Sequence, residues 1–298
     1  MSKTRGLQWL VLCCFILLIF SNHLQAQKSD QSSKIIYLSD GRLLNEKGPQ
    51  AIENSLSPAE KNMDQELLLR IKEAKSKLKK GINTWNPEHL REAKDIFLSL
   101  LMKGYEEFYL FYYLALCDYR LASYSLSVNK IQEAEHYNTE GKKYLEKAMD
   151  TDPSFGETYA LYAMTLGYEI AFHHEKGMTL GFRIFEYFTK AFEKDPDNPR
   201  INLLKGISDL YTPEAYGGGP DAAMKSLVKS VNLFEQENVK DPVKPSWGKD
   251  EAYTFLGMAY TSKKEYIKAE EFLRKALEIN PNFGLAMQEL EKIEKSTK

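Results

Sequence analysis

Between Asp250 and Phe283 the chain reads DEAYTFLGMAYTSKKEYIKAEEFLRKALEINPNF, and few folds accommodate its spacing. Tyr253, Leu256 and Tyr260 fall on one side of a first helix, and Ala269, Leu273 and Ala276 on one side of a second. The two alanines let the helices approach closely. Gly257 sits inside the first helix, where glycine costs roughly 1 kcal/mol against alanine, so a bulky neighbour must need its space. Asn280-Pro281 stops the second helix, because the residue before proline is pushed out of the helical region. The unit is an antiparallel helical hairpin, which buries its apolar faces fully only by stacking on others of its kind.

The spacing W-x2-L-G-x2-Y, then A-x3-F-x2-A, then P is met by Tyr253, Leu256, Gly257, Tyr260, Ala269, Leu273, Ala276 and Pro281, and the stretch resembles a tetratricopeptide repeat. Looser copies lie upstream. Leu67 to Leu78 and His89 to Met102 make a first hairpin, with Gly81 to Pro87 expected to close its first helix and Asp64 a candidate cap ahead of it. Tyr105 to Ser125 and Lys130 to Asp150 make a second. The third and fourth place Phe188 and Ala191, then Ala223 and Leu227, on their second helices, with Gly206 at the packing-glycine position. Pro153 to Pro196 spans 43 residues against about 34 in a standard repeat, so the middle hairpins are lengthened. A Pro-rich connection, NVKDPVKPSWGKD, leads into the fifth unit, and Leu285 to Ile293 forms a final helix charged on one side. The resemblance implies an all-α, right-handed solenoid of about five antiparallel hairpins with a C-terminal capping helix, occupying residues 63–298.

The chain opens with Lys3 and Arg5, an apolar run from Leu7 to Phe20, and a polar stretch to Ala26. That layout is a secretory signal peptide, residues 1–26, since a run of 14 residues is short for the roughly 20 that span a bilayer. Leu12 stands before Cys13 where a lipoprotein site would carry a small residue. Cleavage removes Lys3 and Arg5 and no acidic residue, so 40 Lys and Arg become 38 against 42 Asp and Glu. So mild a balance leaves no footprint for nucleic acid. Only Cys117 remains, which excludes an internal disulfide. Residues 27–62 read as a polar tether, with Ser39-Asp40-Gly41 the turn of a possible small hairpin.

Function follows from the surfaces. By the repeat resemblance, the first helices line a concave groove, placing Tyr109, Tyr112, Tyr119 and Arg120 of the second unit there with Met164 and Tyr168 of the third, Arg200 and Tyr211 of the fourth, and Met258 of the fifth. Tyr112, Tyr119 and Tyr168 are expected to be at least partly exposed, as a binding surface for a protein or peptide. Thr212-Pro213 with Gly217-Gly218-Gly219 is similar to a loop of the periplasmic T component of TRAP-type transporters. That resemblance implies the alternative of a transport accessory holding a small ligand in a helical cavity. The glycines lack the following Gly-Lys-Ser or Gly-Lys-Thr of a phosphate cradle. Adjacent His173 and His174 point about 100 degrees apart on a helix, too far to share a metal. No cofactor, metal or catalytic constellation is expected, and the protein reads as an exported, non-catalytic interaction module, periplasmic or extracellular. If export is right, intact mass of the protein recovered from cells will correspond to a chain starting at or near Gln27, in the soluble fraction; retention of Met1 in membranes would refute it.

Overall fold

The computed structural model describes residues 58–105 and 108–296, with side chains from Gln65 onward. The expected signal segment and the possible hairpin around Asp40 lie outside the described residues. Among those described are eleven α-helices and no strand. They pair as α1 (Pro58–Thr84) with α2 (Pro87–Met102), α3 (Phe108–Ser127) with α4 (Ile131–Thr151), and α5 (Gly156–Phe172) with α6 (Gly177–Lys194). Then come α7 (Pro199–Tyr211) with α8 (Pro220–Gln236), α9 (Lys249–Ser262) with α10 (Tyr266–Ile279), and α11 (Gly284–Ser296) as the cap. The result is a TPR-like solenoid of five hairpins.

Lengthening reaches beyond the middle of the stack, since α1 runs 27 residues and α8 runs 17. Helices α3 and α4 run 20 and 21 residues, and α5 and α6 run 17 and 18, against 14 for each helix of the fifth hairpin. The extra residues near Phe172 to Gly181 form a short 3-10 turn, His174–Lys176, and the start of α6. Asparagine caps open α2 and α7, where the Asn86 side chain accepts from the Glu88 amide just past Pro87, and that of Asn198 from the Arg200 and Ile201 amides just past Pro199. One local expectation needs correction: helix α1 starts at Pro58, so Asp64 lies within it rather than ahead of it. The helix ends at Thr84, inside the stretch from Gly81 to Pro87 expected to close it. Gly81 is retained inside that helix because a Cβ there would meet Leu90 of α2 at 2.6 Å.

Each hairpin closes on small residues. A Cβ at Gly257 would stand 2.7 Å from Leu273, and one at Gly206 2.5 Å from Leu227, so both glycines exist to admit a leucine from the partner helix. Ala223, Ala269 and Ala276 are wholly buried on the opposing faces. Second helices pack against the next hairpin's first, as α4 on α5 and α8 on α9, while α3, α5, α7 and α9 touch one another in series. Ala269→Lys would drive a long cation into the α9–α10 seam. Overpacking alone costs about 1 to 3 kcal/mol, and burial of an unpaired charge adds to it. A clear fall in melting temperature is expected; an unchanged one would place Ala269 outside the seam.

Candidate binding site on the first-helix face

Helices α3, α5, α7 and α9 meet along one face, and charge is buried where they meet. Arg200, at the start of α7, is 2 % exposed. Its Nη1 and Nη2 donate to Glu237 Oε1 at 2.6 and 2.7 Å, and its Nε lies 3.5 Å from Glu157 Oε1 on α5. Asn198 donates to the same Glu157 oxygen at 3.0 Å, and Tyr112 of α3 donates to the other at 2.7 Å. Nearer the C-terminal end of α3, Arg120 makes a two-pronged pair with Glu251 of α9, both contacts 2.8 Å. Burial opposes the Arg200 charge, yet Glu157 and Glu237 hold its pKa above the ordinary value. Burial likewise pushes the Glu251 carboxyl up, against the pull of Arg120, and carries the Tyr112 hydroxyl well above the usual range, with Glu157 adding to it.

Across this charged seam lies the connection between α8 and α9, residues 237–248, which contains neither helix nor strand. Its main-chain oxygens are caught by side chains from distant helices. Lys75 of α1 donates to the carbonyls of Pro242 and Lys244, both at 2.6 Å. Tyr113 of α3 donates to Val243 at 2.7 Å, and Arg200 to Pro245 at 2.5 Å. The Trp247 indole donates to the Tyr112 hydroxyl at 3.0 Å, and the Arg120 guanidinium sits 5.1 Å from the indole centroid. Gly248 then turns the chain into α9 with φ of 107°, a conformation side chains rarely adopt, while Phe234 would be 2.9 Å from any Cβ.

The residues expected on an open groove therefore divide in two. Tyr112, Tyr119, Arg120, Met164 and Arg200 are buried, which corrects the expected exposure of Tyr112 and Tyr119. The cause is physical: the 237–248 segment covers Tyr112 and Arg120, and Tyr119 stacks on Tyr168 at 5.2 Å and 14°. Tyr109, Tyr168 and Met258 are half-buried, and Tyr211 is 43 % exposed. One end of the face is thus sealed and the other accessible. Lys75, Tyr113, Glu237 and Trp247 carry the sealing, and repeat positions gave no warning of them. The available signal was a tryptophan in a polar, Pro-rich connection.

The remaining candidates resolve into structure. The amides of Gly217, Gly218 and Gly219 donate to the carbonyls of Glu214, Pro213 and Asp209, at 2.9, 3.2 and 2.8 Å, so none is free to cradle an anion. His173 ends α5 with its Nε2 2.8 Å from Glu135. Cys117 is buried and unpaired in any disulfide.

Residues 250–283 match the family model of the tetratricopeptide repeat. Among curated protein sequences none matches the chain. Among solved structures, the HusA haemophore from Porphyromonas gingivalis is similar at 24 % identity and a TM-score of 0.55, covering 66 % of this chain and 92 % of that one. A thermophilic TPR protein of Thermus thermophilus is similar at 17 % identity and a TM-score of 0.47, covering 73 % of this chain and 97 % of that one. At these identities the likeness is one of fold.

The Tyr112 hydroxyl accepts from Trp247 while donating to Glu157, so Tyr112→Phe strips two buried groups of a partner at once. A loss of about 1 to 3 kcal/mol is expected in urea unfolding followed by tryptophan fluorescence. An unshifted midpoint would mean that the hydroxyl does not link the connection to α5.

Proposed function

We propose that this chain is a non-catalytic binding module that, after export, works in the cell envelope by holding a protein or peptide partner. A tetratricopeptide repeat at 250–283 and a TPR-like stack of hairpins support that class of role. The observation that carries it to a surface is the accessible end of the first-helix face, where the exposed Tyr211 and half-buried Tyr168 and Met258 stand on successive first helices. Tyrosines there offer broad apolar area and a hydroxyl with little conformational freedom to lose, which is what an interface anchor requires.

The second reading is a transport accessory with a small ligand among the helices. It draws on the loop at 212–221 and on the fold shared with HusA, itself a haemophore. Against a ready-made cavity at the sealed end stands the segment already lying there, whose Trp247 reaches Tyr112 and Arg120.

A photo-crosslinking residue placed at Tyr211, and separately at Met258, separates the two in living cells. A discrete adduct heavier by the mass of a protein, absent when the same group is placed at the exposed Glu186 of α6, is the expected outcome. Adducts at none of the positions, or only a small-molecule mass, would refute a protein partner.

A further inference from the structure

Three connections between hairpins or to the cap, 152–155, 195–198 and 280–283, take four residues each; the α8–α9 connection, 237–248, takes twelve. A four-residue turn suffices to pass from one hairpin to the next in this stack. The remainder is spent travelling over α3 and α1, three and four hairpins away from the helix it leads into. Nothing about chain connectivity requires that route.

What holds the segment is the chemistry of peptide capture. Four consecutive carbonyls, from Pro242 to Pro245, are each met by a side-chain donor from α1, α3 or α7. These contacts read main chain and are indifferent to side-chain identity. Selectivity comes from two features. Proline fixes φ at 242 and 245, and the chain bends over 242–244, where the Asp241 side chain accepts from the Val243 amide at 2.9 Å, so less entropy is lost on docking. Trp247, two residues beyond the second proline, fits between the Tyr112 hydroxyl and the Arg120 guanidinium. Main-chain hydrogen bonds that give affinity, with a pocket for one side chain that gives specificity, are the elements of peptide recognition. The segment also keeps an outer edge in solvent, since Asp241, Pro242, Lys244 and Ser246 are exposed, so it can peel away without unravelling a helix.

We infer that the sealed end of the first-helix face is a receptor for a proline-braced, bent peptide of the form Pro-x-x-Pro-x-Trp, and that residues 241–247 are a built-in occupant which a partner bearing such a segment displaces. The inference rests on the protein-binding reading above and names the partner's chemistry. A tethered occupant acts at an effective concentration on the order of millimolar, so the apparent affinity for a free competitor is the intrinsic one multiplied by the small fraction of time the occupant is undocked.

The probe is a fluorescein-labelled synthetic peptide with the sequence of residues 238–249, titrated into the full processed chain and followed by anisotropy. Replacing 241–247 with seven Gly and Ser residues opens the site, and the peptide is expected to bind that variant at least tenfold more tightly than the unaltered chain. Adding Tyr113→Phe or Lys75→Gln to the opened variant is expected to weaken binding at least fivefold, and a peptide with prolines and tryptophan scrambled is expected not to bind. Should the Gly/Ser variant fail to fold, a protease site inserted between Asn238 and Val239 allows the connection to be cut after folding. Tighter peptide binding after the cut supports the inference equally. Equal binding by opened and unaltered chains that are both folded by circular dichroism would overturn it. Equal binding of the scrambled peptide, or segment-exchanged dimers seen by light scattering in place of peptide binding, would also overturn it. Crosslinking at Tyr211 keeps the two readings apart. Adducts there with no peptide binding sink only the displaceable occupant, whereas absence of both sinks the partner as well.

Discussion

A guanidinium withdrawn from water must be ringed by acceptors, and the way Arg200 meets that demand organises the middle of this protein. Its hydrogen bonds go to Glu237 just past α8 and to the Pro245 carbonyl of the crossing segment, and Glu157 on α5 adds an opposite charge 3.5 Å from Nε. Breaking such a buried pair on one side typically costs about 3 to 5 kcal/mol, far more than the pair itself stabilises. The network is therefore better understood as fixing one arrangement than as adding stability. The planar fork of arginine can address a carboxylate and a carbonyl at once, which a lysine ammonium on the same helix would do without that geometry. Through Tyr112, which bridges Glu157 and Trp247, the same demand reaches α3.

What could be read from the sequence was local. The fifth hairpin announced itself because its buried residues recur at helical spacing within 34 residues, and the structure puts Ala269, Leu273 and Ala276 in the seam and Gly257 against Leu273. Gly206 was legible for the same reason. The binding face was legible only in direction. Repeat positions placed Tyr112, Tyr119, Arg120 and Arg200 toward the common face of the first helices, which is where they lie, but position numbers say nothing about what covers a face. The hydrogen bonds that α1 and α3 make to the cover join residues 130 to 169 positions apart, and no periodicity connects Lys75 to Lys244 or Tyr113 to Val243.

Sealed and open ends of one face also differ in character. At the sealed end, charge is neutralised internally and the tyrosine hydroxyls are committed to carboxylates and carbonyls. Toward the other end, Tyr119 is buried, Tyr168 half-buried and Tyr211 exposed, so aromatic surface emerges stepwise from α3 to α7. A partner meeting the exposed end finds apolar area first, and polar specificity deeper in.

Hairpin stacks ordinarily fold from neighbour to neighbour, each repeat depending only on those beside it. Here the Arg120–Glu251 pair joins residues 131 positions apart, and Glu251 lies in the last hairpin. In a chain synthesised from its amino end, α3 is complete long before its counter-ion exists. The pair can therefore form only once both ends of the stack are present. Closure thus becomes a late, long-range event with a high loop-closure cost, of the kind that slows folding. A stack whose second hairpin is neutralised only by its fifth has ends that cannot be separated without stranding a buried charge, so its repeats melt together where an ordinary stack could fray one at a time.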